Sequence, residues 1–205
     1  LAIVIHLMIA GRFQWKPLGA PVPRKVGLAA FDFTTGTLLL TEAGSKRRAS
    51  LHVVRGDAGL AALDPGGVDV LNGRTAAFSE ALRRENHTLK RALTDPHLID
   101  GIGNAYSDEI LWTAGLHPHR RRATMDEDDL RRLYASMRAV EEESIGIVDA
   151  TVQGEGLGKK EEWREHLKVH RRAGEPCPRC GSEIKGQVRS GSETNYCVVC
   201  QPLFE

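Results

Sequence analysis

No run of apolar residues in this chain is long enough to cross a bilayer. The longest, Leu1 to Ala10, is interrupted by His6, whereas a spanning helix needs about 20 residues. No basic segment precedes it and no small-residue cleavage site follows, so it does not read as a secretory signal. An excess of one charge sign is also missing. With 28 basic and 27 acidic residues and a net charge of +1, bulk charge neither demands nor forbids a nucleic-acid partner. Cysteine is absent from the first 176 residues, all four falling in the last 29. That excludes a disulfide framework spread along the chain and implies a reducing, cytoplasmic setting. Internal repeats and low-complexity tracts are lacking as well. What remains is an ordinary globular composition, 41% hydrophobic and 27% charged over 205 residues. It calls for a real core and for one medium domain or two small ones.

The first 72 residues read as β-structure. Ile3 to Leu7, Leu28 to Phe33, Leu38 to Thr41 and Leu51 to Val54 are strand-like, and Thr34-Thr35-Gly36-Thr37 marks a hairpin bend. The basic run Gly44-Ser45-Lys46-Arg47-Arg48 joins the last two strands and, taken alone, is a solvated turn. Leu1 lies within a strand-like run, as expected of a sequence that starts inside a domain. After Asp64-Pro65-Gly66-Gly67 the pattern changes to helical. Ala77, Phe78, Ala81 and Leu82 share a face, and Leu89, Ala92 and Leu93 continue the stripe until Asp95-Pro96. A second helix is expected from Asn104, its side chain capping the first turn, with Tyr106, Ile110 and Ala114 aligned and Gly115 and Pro118 ending it. Thr124-Met125-Asp126-Glu127 has capping-box spacing before a third helix that buries Leu130, Leu133, Tyr134 and Met137. Gly154-Glu155-Gly156-Leu157-Gly158 lacks the preceding strand and the closing Gly-Lys-Ser/Thr of a phosphate loop, and reads as an ordinary loop. Mixed charges around Trp163 then lead to a last segment beginning near residue 173.

The most specific motif is Cys177-Pro-Arg-Cys180, sixteen residues, then Cys197-Val-Val-Cys200. Two such knuckles bring four thiolates to one tetrahedral zinc, a reading favoured over a redox dithiol or two disulfides. A closed four-sulfur site has no open position, so the metal is structural, and zinc contributes roughly 10–16 kcal/mol of folding energy in small zinc peptides. The second motif is Asp100-Gly-Ile-Gly-Asn104 between two helices. Gly101 and Gly103 let the backbone come close to a ligand, and the following helix offers free N–H groups and a positive dipole end. Alone, it would be an ordinary interhelix turn. Basic flanks, Arg83, Arg84, Lys90 and Arg91 before it and His117, His119 and Arg120 to Arg122 after it, favour phosphate contacts.

Three stretches carry a resemblance. Asn86-His-Thr-Leu-Lys-Arg-Ala-Leu-Thr-Asp-Pro96 with Gly101-Ile-Gly-Asn-Ala-Tyr-Ser-Asp-Glu-Ile-Leu111 and Gly115-Leu-His-Pro118 resembles the helix-two-turn-helix of the formamidopyrimidine-DNA glycosylase and endonuclease VIII family. The four-cysteine hairpin is similar to that family's zinc finger, and Ile5-His-Leu-Met-Ile-Ala-Gly-Arg12 to a strand and loop of its N-terminal β-sandwich. The fold this implies is α+β: a partial β-sandwich over 1–72, a helix-two-turn-helix domain over 73–172 and a zinc-finger hairpin over 173–205. The implied function is base-excision repair. An oxidised purine is flipped from duplex DNA because its sugar carbon is shielded in the stack. The glycosidic bond is cut and the abasic strand cleaved, through a Schiff base on an N-terminal proline amine assisted by a glutamate; an α-amine of pKa about 7.7–8.0 is partly unprotonated at neutral pH. The resemblance assigns Asn104, Lys90, His6, Arg12, Gly101 and Gly103 to DNA, one structural zinc to Cys177, Cys180, Cys197 and Cys200, and damaged or abasic duplex DNA as partner. It implies a monomer in the cytoplasm, associated with the nucleoid, with no membrane role.

The chain departs from the family in several places. The opening proline and glutamate, the first helix and an early lysine have no counterpart, which leaves no catalytic residue in these 205 and makes them alone expectedly inactive. Ser192 stands where the finger usually has arginine, and Ile9 where an apolar wedge, often methionine, fills the gap left by the flipped base. The Lys46 to Arg48 loop takes the place of an arginine-rich loop. Two other readings are a catalytically inactive, zinc-dependent DNA-binding paralogue and a zinc-stabilised protein-interaction module.

Overall fold

Leu38, Leu39 and Leu40, flanked by Thr37 and Thr41, form the most buried strand of the N-terminal part of the chain. This strand, β4 (Gly36–Glu42), lies between β2 (Gly11–Lys16) and β3 (Gly27–Phe33) in an antiparallel sheet of order β2-β4-β3. Phe33 opposite Gly36 leaves the two-residue turn Thr34-Thr35; the glycine expected at the bend is instead the first residue of β4, where a Cβ would run into the Trp15 ring and Lys16 O. A second pair joins β1 (Ala2–His6) to β5 (Ser50–Val54), with Ala2 opposite Val54 and His6 opposite Ser50. The all-β expectation for this region fails at α1 (Gly56–Ala61). That helix buries no side chain and so carries no apolar stripe to read. Local bonds such as Ala62 N–H to Ala58 O, and Asp57 in the first turn, hold it.

The computed structural model describes residues 1–8, 10–44, 46–155, 165–189 and 191–203. Ile9, Gly156 to Gly158 and Trp163 lie outside them, and with them the wedge assignment and most of the glycine loop; Gly154 and Glu155 belong to a helix. Contacts divide the chain into two units, Leu1–Asp64 with Asp149–Trp163, and Pro65–Val148 with Arg164–Glu205. No helix among the described residues is long and apolar enough to cross a membrane.

The second unit holds α2 (Thr75–Arg83), α3 (Leu89–Leu93), α4 (Asn104–Ala114) and α5 (Glu127–Glu155) as far as Val148. A short parallel pair, β6 (Val68–Asp69) and β7 (Ile99–Asp100), precedes α4, and the hairpin of β8 (Lys185–Arg189) and β9 (Ser192–Tyr196) lies near the end. Phe78, Leu82, Leu89, Leu93, Ile110, Leu111, Leu130, Leu133 and Met137 form one core. Each fully buried side chain of this size contributes about 1.5–3 kcal/mol. Tyr106 and Tyr134 pack against it.

Two local expectations change. The helical stripe expected to run from α2 to Leu93 is broken, because Thr88 is extended (φ −64, ψ 151) and bridges Arg121. Leu89 and Lys90 then donate their N–H groups to Arg120 O (2.8 Å) and Pro118 O (3.0 Å), so the loop after α4 satisfies the first turn of α3. At α5 the cap lies two residues beyond Thr124. Asp126 accepts the Asp129 N–H (2.8 Å), while the Thr124 hydroxyl donates to Arg121 O (2.9 Å).

Candidate functional site

The four cysteine sulfurs all lie within 4.8 Å of one another and are free thiols. Cys177 and Cys200 are 3.9 Å apart and Cys180 and Cys197 3.4 Å. Zinc–sulfur bonds of about 2.3 Å give a tetrahedral edge of about 3.8 Å, which these two distances bracket. A disulfide, at about 2.05 Å, does not fit them. The electrostatics agree. Hydrogen bonds from the Ser182 backbone and hydroxyl bring the Cys180 thiol down to about 6, while burial and the neighbouring thiols push Cys200 up to about 12. Four thiols this close ionise together only around a dication, so the donor set fits zinc. Cys177, Cys180, Cys197 and Cys200 would hold one structural ion, with no position left for catalysis.

The finger is built onto α4. The Trp112 indole N–H donates to Cys177 Sγ (3.4 Å). The Arg179 guanidinium sits 4.2 Å from the Trp112 ring centre and donates to Trp112 O (3.0 Å). Buried Gln201 accepts the Cys197 N–H and donates to Leu116 O, each at 2.9 Å. Trp112, Val169, Ile184, Cys177 and Cys197 form a small second core. Buried His117 lies 4.7 Å edge-on from Tyr196; desolvation, then the nearby His119, lower its pKa, and the His119 N–H donates to its Nδ1. His119 in turn meets Gln187 Oε1 (2.7 Å).

Beneath these contacts run two buried carboxylates that the sequence reading passed over. Glu109 accepts the N–H groups of Lys168 (2.8 Å), Val169 (2.9 Å) and His170 (2.8 Å). Asp108, its side chain fully buried, meets Lys90 Nζ (2.6 Å) and His170 Nδ1 (2.7 Å) and accepts the Asn195 N–H (3.1 Å). Their signal was available: acidic residues among Tyr106, Ile110 and Leu111 fall on an apolar helix face, where they need partners.

At the other end of α4 the finger hairpin meets the helix tip. Gly101 has φ +89, a conformation that favours glycine, whereas Gly103 is extended and a Cβ there would meet nothing within 4 Å. Gly103, not Asn104, is the cap residue. The Asn104 side chain leaves the helix instead, donating Nδ2–H to Glu193 O (2.9 Å) and accepting the Ser192 hydroxyl on Oδ1 (2.8 Å). The N–H groups of Asn104 and Ala105 find no acceptor among the described residues. They form the anion-attracting end of an eleven-residue helix beside the hairpin.

A model described as the H2TH domain of formamidopyrimidine-DNA glycosylase matches residues 67–155, and one described as the zinc finger found in FPG and IleRS matches residues 174–203. The formamidopyrimidine-DNA glycosylase of Heliobacterium modesticaldum is 33% identical over 207 residues, covering 97% of this chain and 74% of that protein. The chain belongs to the formamidopyrimidine-DNA glycosylase and endonuclease VIII family. Two solved Lactococcus lactis members, one with DNA containing FAPY-dG and one with DNA containing an abasic site, each superpose with a TM-score of 0.82 at 26% identity. They match 98% of this chain, and 75% and 74% of theirs.

Of the residues assigned through this family, Asn104, Gly101, Gly103 and Lys90 come together in the second unit. Lys90 is not an open phosphate grip. It is 8% exposed and gives two of its three N–H donors to Asn104 O (2.7 Å) and Asp108, which makes it a support for the α4 tip. Burial lowers its pKa, and Asp108 opposes that shift. The basic flank is also partly committed, Arg83 to Glu127 (2.7 Å) and Arg120 to Asp129 (2.5 Å). His6 and Arg12 belong to the first unit, on either side of the turn closed by Gly11 N–H to Leu7 O (2.8 Å). His6 is exposed, and half-buried Arg12 donates to Gly11 O (2.6 Å). In the same unit buried Glu42 accepts the N–H groups of Arg48 (2.9 Å) and Ala49 (3.1 Å), shaping the basic loop of Lys46 to Arg48, which is exposed.

Proposed function

We propose that this chain binds damaged duplex DNA and acts in base-excision repair, belonging to a bifunctional glycosylase and abasic-site lyase that removes oxidised purines. The observation that carries the reading is the α4 tip, with its open N–H groups, bonded through Asn104 to the zinc-finger hairpin. The tip then presents its N–H groups to a DNA backbone from a frame it shares with the hairpin. Asn104, Gly101 and Gly103 contact phosphate, Lys90 holds their turn, and His6 and Arg12 line a second track on the β-region. On this reading residues 1–72, 73–172 and 173–205 are the three working parts, and the chain acts as a monomer.

The test is binding to abasic-site and undamaged duplexes across a salt series. The chain should prefer the abasic duplex and lose affinity steeply with salt. Asn104→Ala should weaken binding to every duplex alike, since phosphate carries no sequence. Gly103→Ala is the sharper variant. Its methyl meets nothing in the protein, so Tm should hold while affinity falls several-fold; unchanged affinity would remove phosphate from the α4 tip. The covalent step is a proline-amine Schiff base, and the sequence given opens on Leu1. A polypeptide of these 205 residues should therefore give no borohydride-trapped adduct with abasic DNA, and a trapped adduct would mean a different nucleophile.

A further inference from the structure

Arg171 adopts φ +61, a left-handed conformation in a residue with a full side chain. It occupies the third position of the turn Val169-His170-Arg171-Arg172, closed by the Arg172 N–H donating to Val169 O (3.1 Å). Turns with positive φ at that position ordinarily use glycine. Elsewhere in this terminal region the left-handed positions are glycines: Gly174 (φ 87), Gly181 (φ 75) and Gly191 (φ 79). An L side chain held here is strained, and such strain persists only where the surroundings over-determine it.

The surroundings do so from both sides. His170 is fixed by its backbone N–H on Glu109 and by its ring on Asp108, and the Arg171 N–H donates to Asn195 Oδ1. Arg172 is anchored by its guanidinium on Leu167 O (2.6 Å) and Glu175 (3.0 Å). The Arg171 side chain itself is exposed and makes no hydrogen bond or ion pair among the described residues. Its backbone rests on Asn195, whose own N–H is held by Asp108. The same Asp108 pairs with Lys90, which carries the first-turn carbonyl of α4 at Asn104. An uncommitted guanidinium is thus mounted, at a conformational cost, on the frame that supports the α4 tip and the hairpin.

We infer that Arg171 is a phosphate-binding residue of this chain, adding one cationic contact to a DNA strand beside the α4 tip. The inference rests on the reading of the chain as a DNA-binding protein. An arginine merely tolerated at the turn would contribute nothing to binding and would be improved by glycine. A guanidinium kept for phosphate would be missed when removed.

The experiment compares the 205-residue chain with Arg171→Gly and Arg171→Lys, measuring thermal unfolding and the salt dependence of binding to an abasic-site duplex. Glycine relieves the left-handed strain, so Tm should hold or rise. Loss of one phosphate contact should reduce the slope of log affinity against log salt by about 0.9 and weaken binding several-fold at low salt. Arg171→Lys should keep most of the slope. Arg171→Gly binding with unchanged slope and affinity would overturn the inference and leave the DNA-binding reading intact. If the unaltered chain bound no duplex at all, that reading would fall first, and the role of Arg171 with it.

Discussion

Replacing Cys197 with serine, or stripping the metal with a chelator, should unfold the terminal hairpin and abolish most DNA affinity. The stabilisation lost is of the order of the metal's binding energy, about 10–16 kcal/mol in small zinc peptides, which exceeds what the finger's small apolar cluster can supply. That cluster is Trp112, Val169 and Ile184 around the cysteines. Trp112 bonds Cys177 Sγ, so its emission should shift to the red as the finger leaves α4. The damage should also reach the helix tip. Asn104 holds Glu193 O and the Ser192 hydroxyl, and without the hairpin it has no fixed orientation. Affinity for duplex should therefore fall more than tenfold, over about 1.4 kcal/mol. Metal analysis by mass spectrometry provides the control, because Cys197→Ser retaining the full zinc content would refute the four-sulfur site.

The finger was legible because two pairs of cysteines at knuckle spacing are the ordinary signature of one four-sulfur zinc site. The position of the α4 tip was equally clear, since Gly101-Ile-Gly-Asn104 interrupts two amphipathic stretches and Gly115 closes the second at φ 66. Less legible was everything decided by partners remote in sequence. Asn104 is a good capping residue, yet its amide is claimed by Ser192 and Glu193, 88 and 89 positions away. Thr88 breaks a helical stripe because Arg120 and Pro118 take the next two N–H groups. Lys90 reads as a surface cation from its neighbours, and only the fold brings Asp108 to within 2.6 Å of it. Local propensity states what a residue favours; these choices were set by which orphan donor or charge lay nearby once the core had closed.

That dependence makes loss of the Asp108 charge costly to the fold. Asp108→Asn keeps shape and volume but removes the charge, and one carboxylate oxygen becomes a donor, facing Lys90 Nζ if it replaces Oδ1 or both the Asn195 N–H and the His170 ring if it replaces Oδ2. Lys90, nine-tenths buried, is left without its counter-ion. Breaking a buried pair from one side typically destabilises by about 3–5 kcal/mol, so Tm should fall by about 10 °C. Asp128→Asn, at the exposed pair with Arg131 in the first turn of α5, should cost no more than about 1 kcal/mol and shift Tm far less. The pH dependence distinguishes a lost charge pair from poor packing. Desolvation already lowers the Lys90 pKa, and the Asp108 charge and hydrogen bond oppose that shift. Without them the folded-state value drops further below the unfolded one. Between those two values the unfolded chain binds more protons, so stability rises with pH there. The deficit of Asp108→Asn should therefore shrink as pH climbs from neutral toward about 10, the ordinary lysine range. A deficit that stays constant across that range would place the damage in packing around Asn195 and His170, and would remove Lys90 as the support of the α4 tip.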